Sequence, residues 1–318
     1  MTKIDIVSGF LGAGKTTLIK KLLAEAFQGE KLVLIENEFG EISIDGGFLK
    51  DSGVQISEMS SGCLSCSLVG DFGKALKDVQ AQFHPDRILI EPSGVGKLSD
   101  VIVAVQNTVA DIPDMKLNSF VTVADATKVK VYMKNFGEFY NNQIESAGAI
   151  ILSRTQKLSQ EKLEAAAAML REKNPDAAIL TTPWDQLDGA VILSAMEKVS
   201  LADELLAKMR AEHEAEEAEH EHEHHHHADE VFTSWGKETP KAFSQADIQR
   251  ILTALDTGDY GKILRAKGIV SGSDGAWVEF DYVPEEHDIR PGKPDYTGRL
   301  CVIGSELKED KLAELFGL

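Results

Sequence analysis

The chain has 318 residues, 43% of them hydrophobic, and a formal net charge of −19. Such a length exceeds one typical domain and can bury a large core, while the charge opposes nucleic acid and anionic membrane surfaces as partners, since both are polyanions. No apolar run reaches the roughly 18 residues that a membrane-spanning helix needs, and three cysteines, an odd count, do not suggest a disulfide framework.

In chain order, MTKIDIVSGFLGAGKTT enters a strand and a glycine loop at once and lacks the charged-then-apolar pattern of a signal peptide. A reducing cytoplasm is therefore the expected location. Short apolar strands are expected at residues 4–9, 31–37, 86–92, 119–125 and 148–153, with helical patterns between several of them, such as TLIKKLLAEAF from Thr17 and KLEAAAAMLREK from Lys162. Strands alternating with helices imply βαβ crossovers and a mostly parallel, doubly wound sheet covered on both faces. From Ala211 to Glu230 the chain reads AEHEAEEAEHEHEHHHHADE, with no large apolar residue and seven of the nine histidines. Such a segment cannot contribute a core and is expected as a solvated linker or helix extension. A new pattern follows, with strands expected at 263–270, 276–283 and 299–304 and a closing helix, KEDKLAELF. The expected organisation is an α/β domain over residues 1–210, a linker over 211–230 and a small α+β domain over 231–318.

The most specific motif is GFLGAGKT, Gly9 to Thr16, which fits G-x-x-x-x-G-K-[ST] between an expected strand and an expected helix. Gly9, Gly12 and Gly14, with Ala13, let backbone N–H groups turn inward around phosphate oxygens. The helix that follows adds unpaired N–H groups and the positive end of its dipole. Lys15 is expected to reach the β and γ phosphates, Thr16 to bind Mg²⁺ and Thr17 to touch the α phosphate. This is a P-loop nucleotide-binding domain. ILIEPSGVG, Ile88 to Gly96, supplies a second phosphate-facing element: Glu91 ends an apolar strand where its carboxylate can hold Mg²⁺ or its water, and Gly94 can offer its N–H to the γ phosphate. The bland reading is a strand-ending turn.

Taken together, GFLGAGKTT, ENEFGEISID from Glu36, GCLSC, EPSG, VADA from Val123, the His-rich linker, LRAKG from Leu264 and CVIG from Cys301 resemble the CobW-type P-loop GTPases, a group of metallochaperones. The resemblance spans nearly the whole chain. It implies a GTP-switched carrier that delivers a transition metal such as Zn²⁺, Co²⁺ or Ni²⁺ to a client metalloprotein or cofactor pathway, as a monomer or as a nucleotide- or metal-dependent dimer. In that family a C-x-C-C motif holds the metal between two loops that sense the γ phosphate. Here Cys63-Leu64-Ser65-Cys66 keeps only the outer pair. The guanine-reading N-K-x-D motif, expected after the strand GAIILS, is Ser153-Arg154-Thr155-Gln156. A neutral Gln156 can accept one hydrogen bond from guanine but turns an NH₂ toward its donors, while Arg154 can still stack on the base. GTP and ATP therefore both stand as the nucleotide.

Cys63 and Cys66 can chelate one ion through two thiolates. The family topology brings Glu38 and Glu41, ahead of Glu36, near them as further ligands, and Ser65 is a poor ligand for a soft ion. A redox pair and two idle cysteines are the alternatives. His220, His222, His224, His225, His226 and His227, interleaved with glutamates, form an adaptable metal-collecting segment. Glu38, Glu41 and Asp45 are candidates for orienting the attacking water. Trp184, expected near the base side, His84, His287 and Cys301 have structural roles as their simpler explanation, and Arg265 and Lys267 suggest an interface strand. The rival to a hydrolase is a metal buffer whose P-loop only senses nucleotide; a further one is an ATP-driven activator of a metalloenzyme.

Overall fold

A computed structural model describes residues 1–36, 55–58, 68–198 and 233–318. The chain divides into two compact units, one ending at Lys198 and the other beginning at Val199.

The first unit is an α/β sandwich. Its elements are β1 (Thr2–Gly9), α1 (Lys15–Glu25), β2 (Leu32–Glu36), β3 (Gln55–Glu58), α2 (Leu68–Phe83), β4 (Arg87–Glu91), α3 (Leu98–Ala110), β5 (Met115–Asp125), α4 (Val129–Asn135), α5 (Gly137–Glu145), β6 (Ala149–Ser153), α6 (Gln160–Lys173), β7 (Ala178–Leu180) and α7 (Gly189–Met196). All five strands expected from apolar runs are present. The sheet has seven strands in the order β3-β2-β4-β1-β5-β6-β7, and every pairing in it is parallel.

Period-2 alternation divides the strand side chains between two faces. Ile4, Ile6, Ile88, Ile90, Ile150 and Leu152 pack with Val101 and Val105 of α3, Ile144 of α5 and Leu170 of α6. α1 buries Leu18, Ile19, Leu22 and Leu23 and packs with α7 on the opposite face, toward which Val7, Leu34 and Leu89 alternate. Each such aliphatic side chain contributes about 1.5–3 kcal/mol by leaving water. Strands buried on both faces explain why β4 and β6 are continuous apolar runs rather than alternating ones.

At the amino ends of the strands, Arg87 is 1% exposed. Its guanidinium bonds Asp5, pairs with Glu30 at 2.6 Å and lies 4.4 Å over the Phe27 ring. Asp5 also accepts from Ser119 at 2.6 Å and Asn118 at 2.8 Å. Every buried charge is thus paired, which makes the cluster tolerable in the core and costly to break singly.

The second unit contains β8 (Thr233–Thr239), β9 (Ala242–Phe243), α8 (Gln245–Leu255), β10 (Lys262–Gly272), β11 (Trp277–Val283), β12 (Glu286–Gly292), β13 (Gly298–Ser305) and α9 (Glu309–Phe316). Its strands run β12-β11-β10-β13-β8, with β9 paired to β10. All the neighbours along that path are antiparallel. α8 starts at a reciprocal capping box between Ser244 and Asp247. Ile248, Ile251 and Leu252 of α8 and Leu312, Leu315 and Phe316 of α9 join Trp235, Val270, Phe280 and Val302 in its core.

The LRAKG stretch lies in β10, and its packing accounts for the glycine: a Cβ on Gly268 would overlap the Phe280 ring. Lys267 pairs with Asp281 at 3.4 Å on the neighbouring strand. Cys301 is buried in β13, filling the place of a small hydrophobe, and forms no disulfide. No helix among the described residues is long and apolar enough to cross a membrane.

Candidate nucleotide site

The sheet order places β1 between β4 and β5, so the chain leaves β1 at the topological switch point, where open α/β sheets bind ligands. Gly9 to Thr16 form the connection from β1 to α1. Gly12 and Gly14 take left-handed φ values of 68° and 107°, which lets the loop turn where a residue with a Cβ would be strained. Gly14 is the N-cap of α1 and supplies no side chain to it; nor is there an acidic residue in the first turn. No side chain of the helix start thus competes for the positive end of the helix dipole, the setting in which a helix N-terminus favours an anion.

The loop is held from several sides. The Phe10 ring packs 5.0 Å from both Tyr132 and Phe136 and 6.0 Å from Tyr140. Burial first, and then the Asp125 charge, push the Tyr140 phenol up, so it stays protonated. Lys15 is 9% exposed, donates to the Gly9 carbonyl at 3.0 Å and lies 3.9 Å from the Glu91 carboxylate. Glu91 is the last residue of β4, and the turn after it comes back against the loop: a Cβ on Gly94 would stand 3.0 Å from the backbone nitrogen of Leu11. The two segments expected to face phosphate therefore meet around Lys15.

The carboxyl ends of the next strands complete the rim. Ser153 ends β6 and is buried. Arg154 follows with a left-handed φ of 58°. Its guanidinium donates to Asp125 at 2.7 Å and to the Gly12 carbonyl at 2.9 Å. Gln156 and Thr17 are exposed. Trp184 is half-buried; its indole N–H donates to the Leu152 carbonyl at 2.9 Å.

Three further residues belong to this constellation. Gln143, fully buried in α5, donates to the carbonyls of Gly94 and Gly96. Asp125 ends β5 and pairs with Arg154. Trp184 reaches the loop from beyond β7. Each acts across the sheet, so only tertiary structure reveals it. Asp125 belongs to the VADA stretch and Trp184 is expected near the base side, whereas Gln143 has no local signal.

The cysteine pair Cys63 and Cys66, the carboxylates Glu38, Glu41 and Asp45, and the histidines at 213–227 lie outside the described residues. The strands that lead to them are described. β2 ends at Glu36, whose register partners are Glu91 of β4 and Glu58 of β3. The ENEFGE segment leaves β2 at Glu36, beside Glu91, and the segment carrying the cysteines follows Glu58 of β3, the residue paired with Glu36 on its other side. Among the described residues, no group of three or more His, Cys, Asp or Glu side chains could hold a metal ion. His84 and His287 are accordingly not brought into one.

Residues 3–181 match the model of the family described as CobW/HypB/UreG, nucleotide-binding domain, and residues 232–317 that of the cobalamin synthesis protein CobW C-terminal domain. The chain belongs to the CobW family. Among relatives of this CobW-family chain, the zinc chaperone YeiR of Escherichia coli (strain K12) is 29% identical over 192 residues, covering 60% of this chain and 58% of that protein. The zinc chaperone YjiA of the same organism is 30% identical over 178 residues, covering 54% and 55%. The zinc-regulated GTPase metalloprotein activator 1 of Schizosaccharomyces pombe is 26% identical over 317 residues, covering 91% of this chain and 76% of that protein. The matched part of the chain spans somewhat more than half the length of the two bacterial relatives.

Proposed function

We propose that this CobW-family chain is a nucleotide-driven metallochaperone of the reducing cytoplasm, which hydrolyses GTP and hands a transition metal, with zinc the first choice, to a client metalloprotein. The observation that carries the proposal is the convergence around Glu91. The phosphate loop and Lys15 lie on one side of it. On the other, Glu36 and Glu58 open the two segments that carry Glu38, Glu41, Cys63 and Cys66. A carboxylate that feels the triphosphate is thus the strand neighbour of Glu36, where the first of these segments departs, and Glu58, where the second departs, lies one strand further on. The names of the relatives, zinc chaperone and GTPase metalloprotein activator, support the same reading.

In this reading the inward-turned amides of residues 9–16 and the Lys15 ammonium hold the β and γ phosphates and stabilise the charge that develops on them. The cation-binding pair is Thr16, at the first turn of α1, and Glu91, at the end of β4 beside Lys15; their hydroxyl and carboxylate oxygens are the hard donors that Mg²⁺ prefers. Mg²⁺ held there by Thr16 and Glu91 would supply positive charge that offsets the charge of the phosphates. Water, oriented from the segment that carries Glu38, Glu41 and Asp45, attacks the γ phosphorus. The bond to the bridging oxygen breaks, its electron pair stays on the diphosphate, and the proton of the water is released as phosphate forms.

On the base side, Arg154 offers the flat face of its guanidinium, with Ser153 and Gln156 beside it. Gln156 in place of an aspartate favours a second reading, in which ATP is accepted as well. The metal is cargo, bound by Cys63 and Cys66 with carboxylate help, and His220 to His227 gather it. Metal analysis of protein purified without an affinity metal tests the proposal. Stoichiometric zinc, cobalt or nickel that is lost in Cys63→Ser and Cys66→Ser supports it; unchanged content in both variants contradicts it.

A further inference from the structure

Trp184 has no part in the chemistry above, yet its ring lies against the phosphate loop. A Cβ built on Gly14 would stand 3.5 Å from the indole Cη2, 3.8 Å from Cζ3 and 3.8 Å from the Ser153 Cβ. The indole therefore fills the space beside Gly14, next to the end of β6. Its N–H is spent on the Leu152 carbonyl at 2.9 Å, which holds the ring in one orientation. Gly14 is the N-cap of α1, at φ 107° and with no side-chain hydrogen bond at the cap. A glycine has more backbone freedom to lose than any other residue, and here an aromatic plane limits it. Arg154 supplies a second tie from the same strand end, at the Gly12 carbonyl. Neither tie belongs to the phosphate-loop motif itself.

We propose that Trp184 is a positioning residue of the nucleotide site: its indole braces Gly14 and couples the phosphate loop to the strand end that carries Ser153 and Arg154. The proposal rests on the reading of this site as nucleotide-binding. Because the brace acts on the loop as a whole, it serves diphosphate and triphosphate alike. Its loss weakens binding of both, and kcat falls far less than kcat/KM. Because the ring touches the loop, its emission reports occupancy. The other two tryptophans, Trp235 and Trp277, are buried in the second unit.

The experiment uses the full chain, with GDP and a non-hydrolysable GTP analogue as probes. Affinity is measured by equilibrium dialysis and tryptophan emission is followed in the same titrations. Trp184→Ala is expected to raise both dissociation constants about tenfold, the scale of one lost aromatic contact. Trp184→Phe keeps an aromatic face and is expected to recover part of that affinity while losing the emission response seen in the unsubstituted protein. Equal affinities in the unsubstituted protein and in a folded Trp184→Ala variant, checked by far-UV circular dichroism, would overturn the brace. If Trp184→Ala does not fold, an emission that stays unchanged on saturation of the unsubstituted protein overturns it, and a response that disappears in Trp184→Phe upholds it. Absence of nucleotide binding in the unsubstituted protein would instead overturn the nucleotide reading beneath it.

Discussion

The side-chain amide of Gln143 donates to the carbonyl of Gly94 at 3.1 Å, and again to that of Gly96 at 2.8 Å. One buried residue of α5 thereby fixes the turn that follows Glu91, while Asn142 beside it accepts from the Ser99 backbone at 3.2 Å. Gln143→Leu keeps the volume but strands two carbonyls. The expected cost is about 1–3 kcal/mol in stability. Turnover should fall more than diphosphate affinity, because in the proposed function the turn faces the γ phosphate. Parallel measurements of kcat and GDP binding check this; equal losses would place the effect on the fold alone.

Lys15 is the charge around which the site is assembled, and its Nζ lies 3.0 Å from the Gly9 carbonyl. Lys15→Ala should lower triphosphate turnover by about a hundredfold or more, the scale seen when one preorganised charge-stabilising donor is removed. Thermal unfolding checks that the variant remains folded. Turnover that persists undiminished would assign the activity to another site or to a contaminant.

Base selectivity should change at one position. Gln156 is exposed at the rim, following Arg154 and Thr155. Gln156→Asp puts a carboxylate where guanine N1–H and N2–H would donate, and should raise the preference for GTP over ATP about tenfold or more in competition binding, since a charged acceptor strengthens such bonds. A preference that does not move would mean that the base is held by its faces alone.

At the other end of the sheet, Glu197 ties α7 to β1 and β5. Burial by itself raises its carboxyl, but the hydrogen bonds from Asn118 and Lys3 and the charges of Lys3 and Arg87 leave it below the ordinary value of 4.5. A depressed folded-state value means a stabilising contribution that is fully present above pH 4.5 and lost as pH falls through the folded value. Thermal midpoints measured from pH 7 downward should therefore drop more steeply below about pH 4.5 in the parent than in Glu197→Gln, which lacks the titrating group. Parallel curves would contradict the assignment.

The parallel sheet was legible because strands buried on both faces carry unbroken aliphatic runs, as in RILIE and AIILS. β3 carries one large apolar residue in four, QISE, and offers no such run. β8 buries only Trp235 and Thr239 of its seven residues. β12 is an edge strand of mixed polarity that tolerates Pro291. The phosphate loop could be read because its chemistry is written in consecutive residues. Gln143 could not be assigned in the same way, because it meets Gly94 and Gly96 from a distant helix and nothing in its immediate neighbours marks it; for Asp125, in VADA, and Trp184, on the expected base side, the sequence marked a region but not the contact with Arg154 or the packing beside Gly14.

The central claim is that nucleotide state and metal holding are coupled through the segments that leave the sheet beside Glu91. Its most direct test is the affinity of the full chain for Zn²⁺, measured once with a non-hydrolysable GTP analogue bound and once with GDP. The account predicts clearly tighter zinc binding in the triphosphate state, with the difference abolished in Cys63→Ser. Equal zinc affinity in the two nucleotide states would contradict it.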